Sequence, residues 1–140
     1  MTRAKALRRL ALAMGYGCAA IGLFHLLGGN AAIPGATHAG ATIDSLGRFL
    51  GAIFTGYGLA WLRATRQTPI PASTVRLLTG VFLLGALGRM LSLAVAGWPH
   101  WFQTALGCLE LALSPVLFLL ADAEEKATLP TGTETAGADA

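Results

Sequence analysis

Residues 75–97 read VRLLTGVFLLGALGRMLSLAVAG, an apolar stretch with two charged residues, Arg76 and Arg89. At a rise of about 1.5 Å per residue, roughly 20 residues cross a hydrocarbon layer of about 30 Å. Small and polar residues recur in this stretch at steps of three or four, at Gly85, Arg89, Ser92 and Ala96. Such steps place residues on one helix face. A small and ionisable stripe on an otherwise apolar helix predicts the interior of a membrane bundle.

Three other apolar spans, at 10–29, 45–64 and 101–121, repeat this pattern. Their stripes are Gly15, Cys18, Gly22, His25 and Gly29, then Asp44, Arg48, Gly51, Thr55 and Gly58, and finally Gln103, Gly107, Glu110 and Ser114. The faces opposite the stripes are also apolar, which disfavours a soluble bundle. The sequence therefore predicts an all-α membrane protein, an antiparallel four-transmembrane-helix bundle over residues 10–121.

The composition supports a membrane protein with a single domain. Of the 140 residues, 54% are hydrophobic and only 12% are charged, and the mean hydropathy is +0.61. These values lie outside the range of soluble globular domains. Residues 1–9 form a basic lead, and residues 122–140 change to Glu, Thr, Gly, Ala and Pro, which predicts a disordered cytoplasmic tail.

The distribution of positive charge predicts an orientation. The net charge is +3, and the basic residues near the spans are confined to the lead and the middle loop, at Arg3, Lys5, Arg8, Arg9, Arg63, Arg66 and Arg76. The other two loops contain no Lys or Arg. This asymmetry predicts a multi-pass protein of the cell (plasma) membrane with both termini in the cytoplasm. Nucleic acid is not an expected partner, since no basic face with interleaved aromatic residues is present.

Five ionisable side chains are predicted to lie in the outward-facing half of the bundle, namely His25, Asp44, Arg48, Arg89 and Glu110. Arg89 and Glu110 lie deepest, and a lone charge at this depth costs at least about 2.5–3.5 kcal/mol. They either form an interhelical ion pair or line a ligand or proton site. Asp44 is expected to be the N-cap of the second helix and to form an i,i+4 ion pair with Arg48. His25 either bonds a neighbouring helix or joins the site.

Other candidate groups have simpler interpretations. Tyr57 lies at the edge of the stripe of the second span and is expected to pack with its hydroxyl satisfied. Cys18 and Cys108 are expected to be packing residues. The sequence has too few neighbouring ligands for a metal site, and no hydrolase, phosphate-loop or CxxC motif predicts a cofactor.

Three functions remain open at this point. The leading hypothesis is an outward-facing polar pocket in the lipid bilayer that binds a small amphipathic, hydrophobic or anionic ligand or a lipid. Its residues would be His25, Asp44, Arg48, Tyr57, Arg89 and Glu110. The second is a membrane-embedded acid–base isomerase or cyclase, with Glu110, Asp44 and His25 as catalytic candidates. The third is an accessory or assembly subunit whose small-residue ladders, such as Gly88, Ser92 and Ala96, support homo-oligomerisation.

The order of the polar motifs resembles a family of small four-helix bacterial membrane proteins, the domain of unknown function number 4345. The matching elements are His25-Leu26, Pro34-Gly35, Asp44-Ser45, Arg48-Phe49, Gly56-Tyr57-Gly58, Gly88-Arg89, Ser92, Gly97, Pro99, Leu109-Glu110 and Pro115. The resemblance covers roughly residues 7–121. It implies a four-helix architecture, distantly similar to DoxX-like membrane proteins, and it implies no particular activity.

Overall fold

The computed structural model describes residues 2–129, and all regular structure in that range is helical. The helices are α1 (Arg3–Gly28), α2 (Ala41–Thr65), α3 (Ala72–Ala96) and α4 (Trp101–Thr128), with a short 3₁₀ turn at Gly29–Ala32 after α1. Each helix packs beside its neighbour in sequence, and α4 closes the ring against α1. The predicted all-α fold with four helices is confirmed.

Helices α1 and α2 approach each other at the level of the backbone. A Cβ added to Gly22 would lie 2.7 Å from the carbonyl oxygen of Gly51, and one added to Gly58 would lie 2.6 Å from that of Gly15. Any larger residue would force the helices apart, since real Cβ atoms essentially never come this close. The small residues of the first two stripes therefore serve contact between α1 and α2 within one chain.

The apolar core lies at one end of the bundle. Leu7, Trp61, Val75 and Leu117 are each fully buried and come from the four different helices. They lie in the first half of α1 and α3 and in the second half of α2 and α4, as antiparallel packing requires. At the opposite end, α3 has no buried residue after Ala86. The candidate polar residues occupy this less densely packed end.

Three of the four helices are long and apolar enough to cross a membrane, namely α1 with its 3₁₀ turn, α3 and α4. Large apolar side chains on every helix are exposed, among them Leu27, Phe49, Leu91 and Leu119. Exposed apolar surface on all sides is typical of a protein whose solvent is lipid. Helix α2 has 25 residues but is not among the three candidates, so its crossing of the membrane stays a prediction.

Two helices extend beyond the predicted spans. Helix α1 begins at Arg3 rather than at residue 10, because Leu7 and Ala11 are already part of the core. Helix α4 continues to Thr128, so the first part of the predicted disordered tail is helical. The rest of that tail, residues 130–140, lies outside the described residues.

Candidate functional site

Arg89 joins α3 to α4 through two side chains of α4. Its Nε lies 3.2 and 3.1 Å from the two carboxylate oxygens of Glu110, and its Nη1 donates to Oε1 of Gln103 at 2.6 Å. The carboxylate of Glu110 is only 9% exposed, whereas the side chain of Arg89 is 35% exposed. The guanidinium group therefore spans from a buried carboxylate to the surface of the bundle.

The buried carboxylate of Glu110 faces the centre of the bundle. A Cβ added to Gly85 on α3 would lie 4.0 Å from Oε2 of Glu110, so the glycine leaves room for the carboxylate. Cys18 on α1 and Tyr57 on α2 lie within electrostatic range of Glu110. Ser114, one turn further along α4, donates its hydroxyl to the backbone carbonyl of Glu110 at 2.8 Å. Glu110 is thus placed by residues from all four helices.

A cavity of about 230 Å³ adjoins the exposed side of Arg89. Its lining combines polar and apolar side chains, namely Arg89, Met90, Ser92, Leu93, Pro99, Gln103 and Thr104. Within residues 2–129, no hydrogen bond uses Nη2 of Arg89 or Nε2 of Gln103. Two residues of the lining, Arg89 and Gln103, therefore have N–H groups without a protein acceptor among the described residues. The same lining contains the apolar side chains of Met90, Leu93 and Pro99.

Asp44 and Arg48 form a different cluster, which holds the end of α1. The carboxylate of Asp44 accepts from Nε of Arg48 at 2.7 Å and from the backbone N–H of Asn30 at 2.8 Å. Nη1 of Arg48 donates to the carbonyls of Leu26 and Leu27, both at 3.0 Å. Those carbonyls belong to the last turn of α1, where a positive charge also complements the helix dipole.

The predicted i,i+4 pair is present, but Asp44 is not the N-cap of α2. The helix begins at Ala41 and its N-cap is Gly40. Asp44 lies in the first turn, and its carboxylate bonds to Asn30 outside the helix. The pKa of Asp44, which precedes the apolar part of α2, lies below its ordinary value because of the hydrogen bond from Arg48 and that from the Asn30 backbone.

His25 and Tyr57 lie apart from the cavity lining. His25 is half-buried in the last turns of α1 and is within electrostatic range of Arg89. The hydroxyl of Tyr57 donates to the backbone carbonyl of Leu78 on α3 at 2.7 Å. Its ring stacks on Phe54 and Phe82, with centroids 5.9 and 6.4 Å away. Tyr57 therefore links α2 to α3 as a packing residue.

A third polar cluster, which sequence reasoning missed, joins the opposite ends of α3 and α4. Nη2 of Arg76 lies 2.6 Å from Asp122 and 2.5 Å from Glu125. The two acids are three residues apart and so share a helix face. Their spacing and the opposite charge of Arg76 were the available signal.

The two cysteines occupy different surroundings. Cys18 is buried in the core, and Cys108 is exposed on α4. In the part of the chain that the structure describes, no group of three His, Cys, Asp or Glu residues could hold a metal ion. The polar clusters described above are held together by ion pairs between their own side chains.

A bundle of four helices, three of them long and apolar enough to cross a membrane, points to the class of helical membrane proteins. The chain belongs to the family described as domain of unknown function DUF4345, whose model matches residues 6–121. The match includes both candidate clusters and ends before Asp122 and Glu125. No curated protein and no solved structure matches the chain.

Proposed function

We propose that this protein binds a small amphipathic or anionic molecule, with its carboxylate or phosphate head in the cavity beside Arg89. The observation that carries the proposal is the cavity of about 230 Å³, with Nη2 of Arg89 directed to no acceptor among the described residues. A guanidinium group and an amide are well suited to the oxygens of such a head. Met90, Leu93 and Pro99 supply the apolar side of the site.

The charge balance narrows the ligand. Glu110 already neutralises Arg89 through Nε, so the site has no net charge and would hold a head by hydrogen bonds. The donors are Arg89, Gln103, Ser92 and Thr104. A head with several acceptor oxygens, such as a carboxylate or a phosphate monoester, fits this lining best.

The roles of the other candidate residues follow from their contacts. Glu110 orients Arg89 from the buried side. The imidazole of His25 lies within electrostatic range of the same guanidinium group. Asp44 and Arg48 have their hydrogen bonds directed to the end of α1, so in this proposal they maintain the fold and do not contact the ligand. The same ion pair disfavours Glu110 as a catalytic residue, since both of its carboxylate oxygens are directed at Arg89.

The proposed setting is the plasma membrane, with both termini in the cytoplasm and the cavity near the outer surface. The support is the charge of the lead and middle loop, where Arg and Lys are concentrated. The loop between α3 and α4, which borders the cavity at Pro99, has no Lys or Arg. This orientation would open the site to outer-leaflet or periplasmic molecules.

The test is a binding measurement with a cavity-filling variant. We expect glycerol 3-phosphate, dodecanoate or lysophosphatidate to raise the melting temperature of the detergent-solubilised protein, and Ser92→Phe to abolish the shift. Ser92 lines the cavity, whereas Ala94 is exposed on the same helix outside the lining. Ala94→Phe is therefore the matched control and should bind as the parent does. Identical shifts in Ser92→Phe and the parent would refute the site.

A further inference from the structure

A second depression on the surface of α4 adjoins the cavity beside Arg89. It has a volume of about 490 Å³ and is lined by Trp98, Pro99, Trp101, Thr104, Ala105 and Cys108. Pro99 and Thr104 line both spaces. The polar cavity and this more open groove are therefore adjacent and share these two residues.

The groove runs along the axis of α4. Residues 101, 104, 105 and 108 follow steps of three and four and share one helix face. From Trp101 to Cys108 the helix rises by about 10 Å. Trp98 and Trp101, which line the groove, are 82% and 71% exposed. The groove is thus an elongated apolar surface that begins where the polar cavity ends.

The two spaces differ in chemistry in the way that the two parts of a lipid differ. The cavity presents the donors of Arg89 and Gln103, while the groove presents two indole rings, Pro99, Ala105 and Cys108. Indole rings favour the boundary between headgroups and acyl chains. A molecule that lies across Pro99 and Thr104 would place a polar head on one side and an apolar chain on the other.

We propose that the ligand of the Arg89 cavity is a membrane lipid with its acyl chain in the groove from Trp101 to Cys108. This inference rests on the proposed function, because the head would occupy the cavity assigned there. The chain adds affinity by packing against the apolar side chains of the groove and by holding the head beside the cavity. Specificity for a chained ligand then resides in α4 and not in Arg89.

The experiment compares two probes with the same head, lysophosphatidate and glycerol 3-phosphate, on the purified full-length protein in maltoside micelles. We expect lysophosphatidate to bind at least about tenfold more tightly, because its chain packs in the groove and keeps the head close to the cavity. Ala105→Phe fills the groove and should remove this preference while leaving the affinity for glycerol 3-phosphate unchanged. Ala94→Phe, at an exposed position of α3 outside both linings, should keep the preference.

The native cysteines give a second readout that reports on the groove directly. Cys108 is exposed at the far end of the groove, whereas Cys18 is buried. Lysophosphatidate should slow the alkylation of Cys108 by a maleimide in the parent protein, and glycerol 3-phosphate should not. Covering of Cys108 by a head-only probe would contradict the assignment of the chain to the groove.

The outcomes separate this inference from the proposed function. Equal affinities for the two probes, both lost in Ser92→Phe, would overturn the acyl-chain groove and leave the polar site standing. Binding of neither probe would overturn both proposals. A preference for lysophosphatidate that persists in Ala105→Phe would show that the chain lies elsewhere and would also overturn the groove.

Discussion

Removing one partner of the Arg89–Glu110 pair should destabilise the protein by an amount that depends on which partner is removed. The side chain of Glu110 is only 9% exposed in the parent protein, and Arg89→Met removes the guanidinium partner of its carboxylate. Loss of one partner from a buried pair costs about 3–5 kcal/mol. Because Arg89 is itself 35% exposed, we expect the lower end of that range, about 3 kcal/mol.

The reverse change should cost less. In Glu110→Leu, the guanidinium group of Arg89 retains Gln103 at 2.6 Å and reaches solvent or lipid headgroups. An ion that can still be hydrated pays only part of the desolvation penalty, and we expect a loss of about 1–2 kcal/mol. The double variant Arg89→Met/Glu110→Leu should recover most of the stability, since apolar replacement of a buried pair is often close to neutral.

The assay is denaturant-induced unfolding of the four proteins in one detergent, with the free energies combined in a double-mutant cycle. Arg66 is an exposed arginine just after α2, so Arg66→Met controls for loss of a charge alone. Additive losses in the double variant, or single variants as stable as the parent, would refute the pairing. If the proposed function holds, the double variant regains stability without regaining ligand binding.

Three further predictions concern the other contacts of the fold. Gly22→Ala should lower the free energy of unfolding by about 1–3 kcal/mol because the added methyl group meets the backbone of α2, whereas Gly17→Ala, which meets no atom within 4 Å, should stabilise α1 by up to about 1 kcal/mol; denaturant unfolding measures both. Because the pKa of Asp44 is lowered in the folded protein, its contribution to stability is complete above about pH 4 and is lost as the pH falls through the lowered pKa. The melting temperature of Asp44→Asn should therefore depend less on pH below about pH 4 than that of the parent. If the two melting temperatures fall equally with pH in this range, Asp44 does not have this role. Arg76→Gln should increase hydrogen exchange in the last two turns of α4, because it removes the ion pairs to Asp122 and Glu125. The free energy of unfolding should change little, since exposed ion pairs contribute little to stability; unchanged exchange would show that the pairs do not hold the helix end.

The helices could be predicted from the sequence because lipid imposes simple demands. Spans of about 20 apolar residues were sufficient for the number of helices, and the stripes at helical spacing identified the inward faces of α1, α2 and α4. The stripe of α3 was wrong, since Gly85, Ser92 and Ala96 are exposed and its buried residues include Leu78 and Phe82. The contacts of Gly22 and Gly58 follow from the same stripes, since only small residues allow backbones to touch. The end of α4 was mispredicted, because the composition of residues 122–128 is polar and the stabilising partner, Arg76, lies far away in sequence.

The grouping of the ionisable residues could not be predicted from periodicity. A stripe identifies a face, but it does not identify the atoms that the face meets. Asp44 and Arg48 were grouped with Arg89 and Glu110 because all four were predicted to lie in the outward-facing half of the bundle. The structure directs Arg48 to the carbonyls of Leu26 and Leu27, and that contact depends on how the chain turns after α1.

The different roles of Arg48 and Arg89 follow from how their helix pairs are packed. In α1 and α2 the backbones meet at glycines such as Gly22 and Gly51, so little space remains between them, and Arg48 uses its donors on the end of α1. In the parts of α3 and α4 next to the loop that connects them, the contact is made by side chains, with a cavity between Met90, Leu93 and Thr104. A guanidinium group in such a contact has one face on its protein partner and another directed at open space. The same residue type therefore secures a helix end in one pair and, in our proposal, receives a ligand in the other.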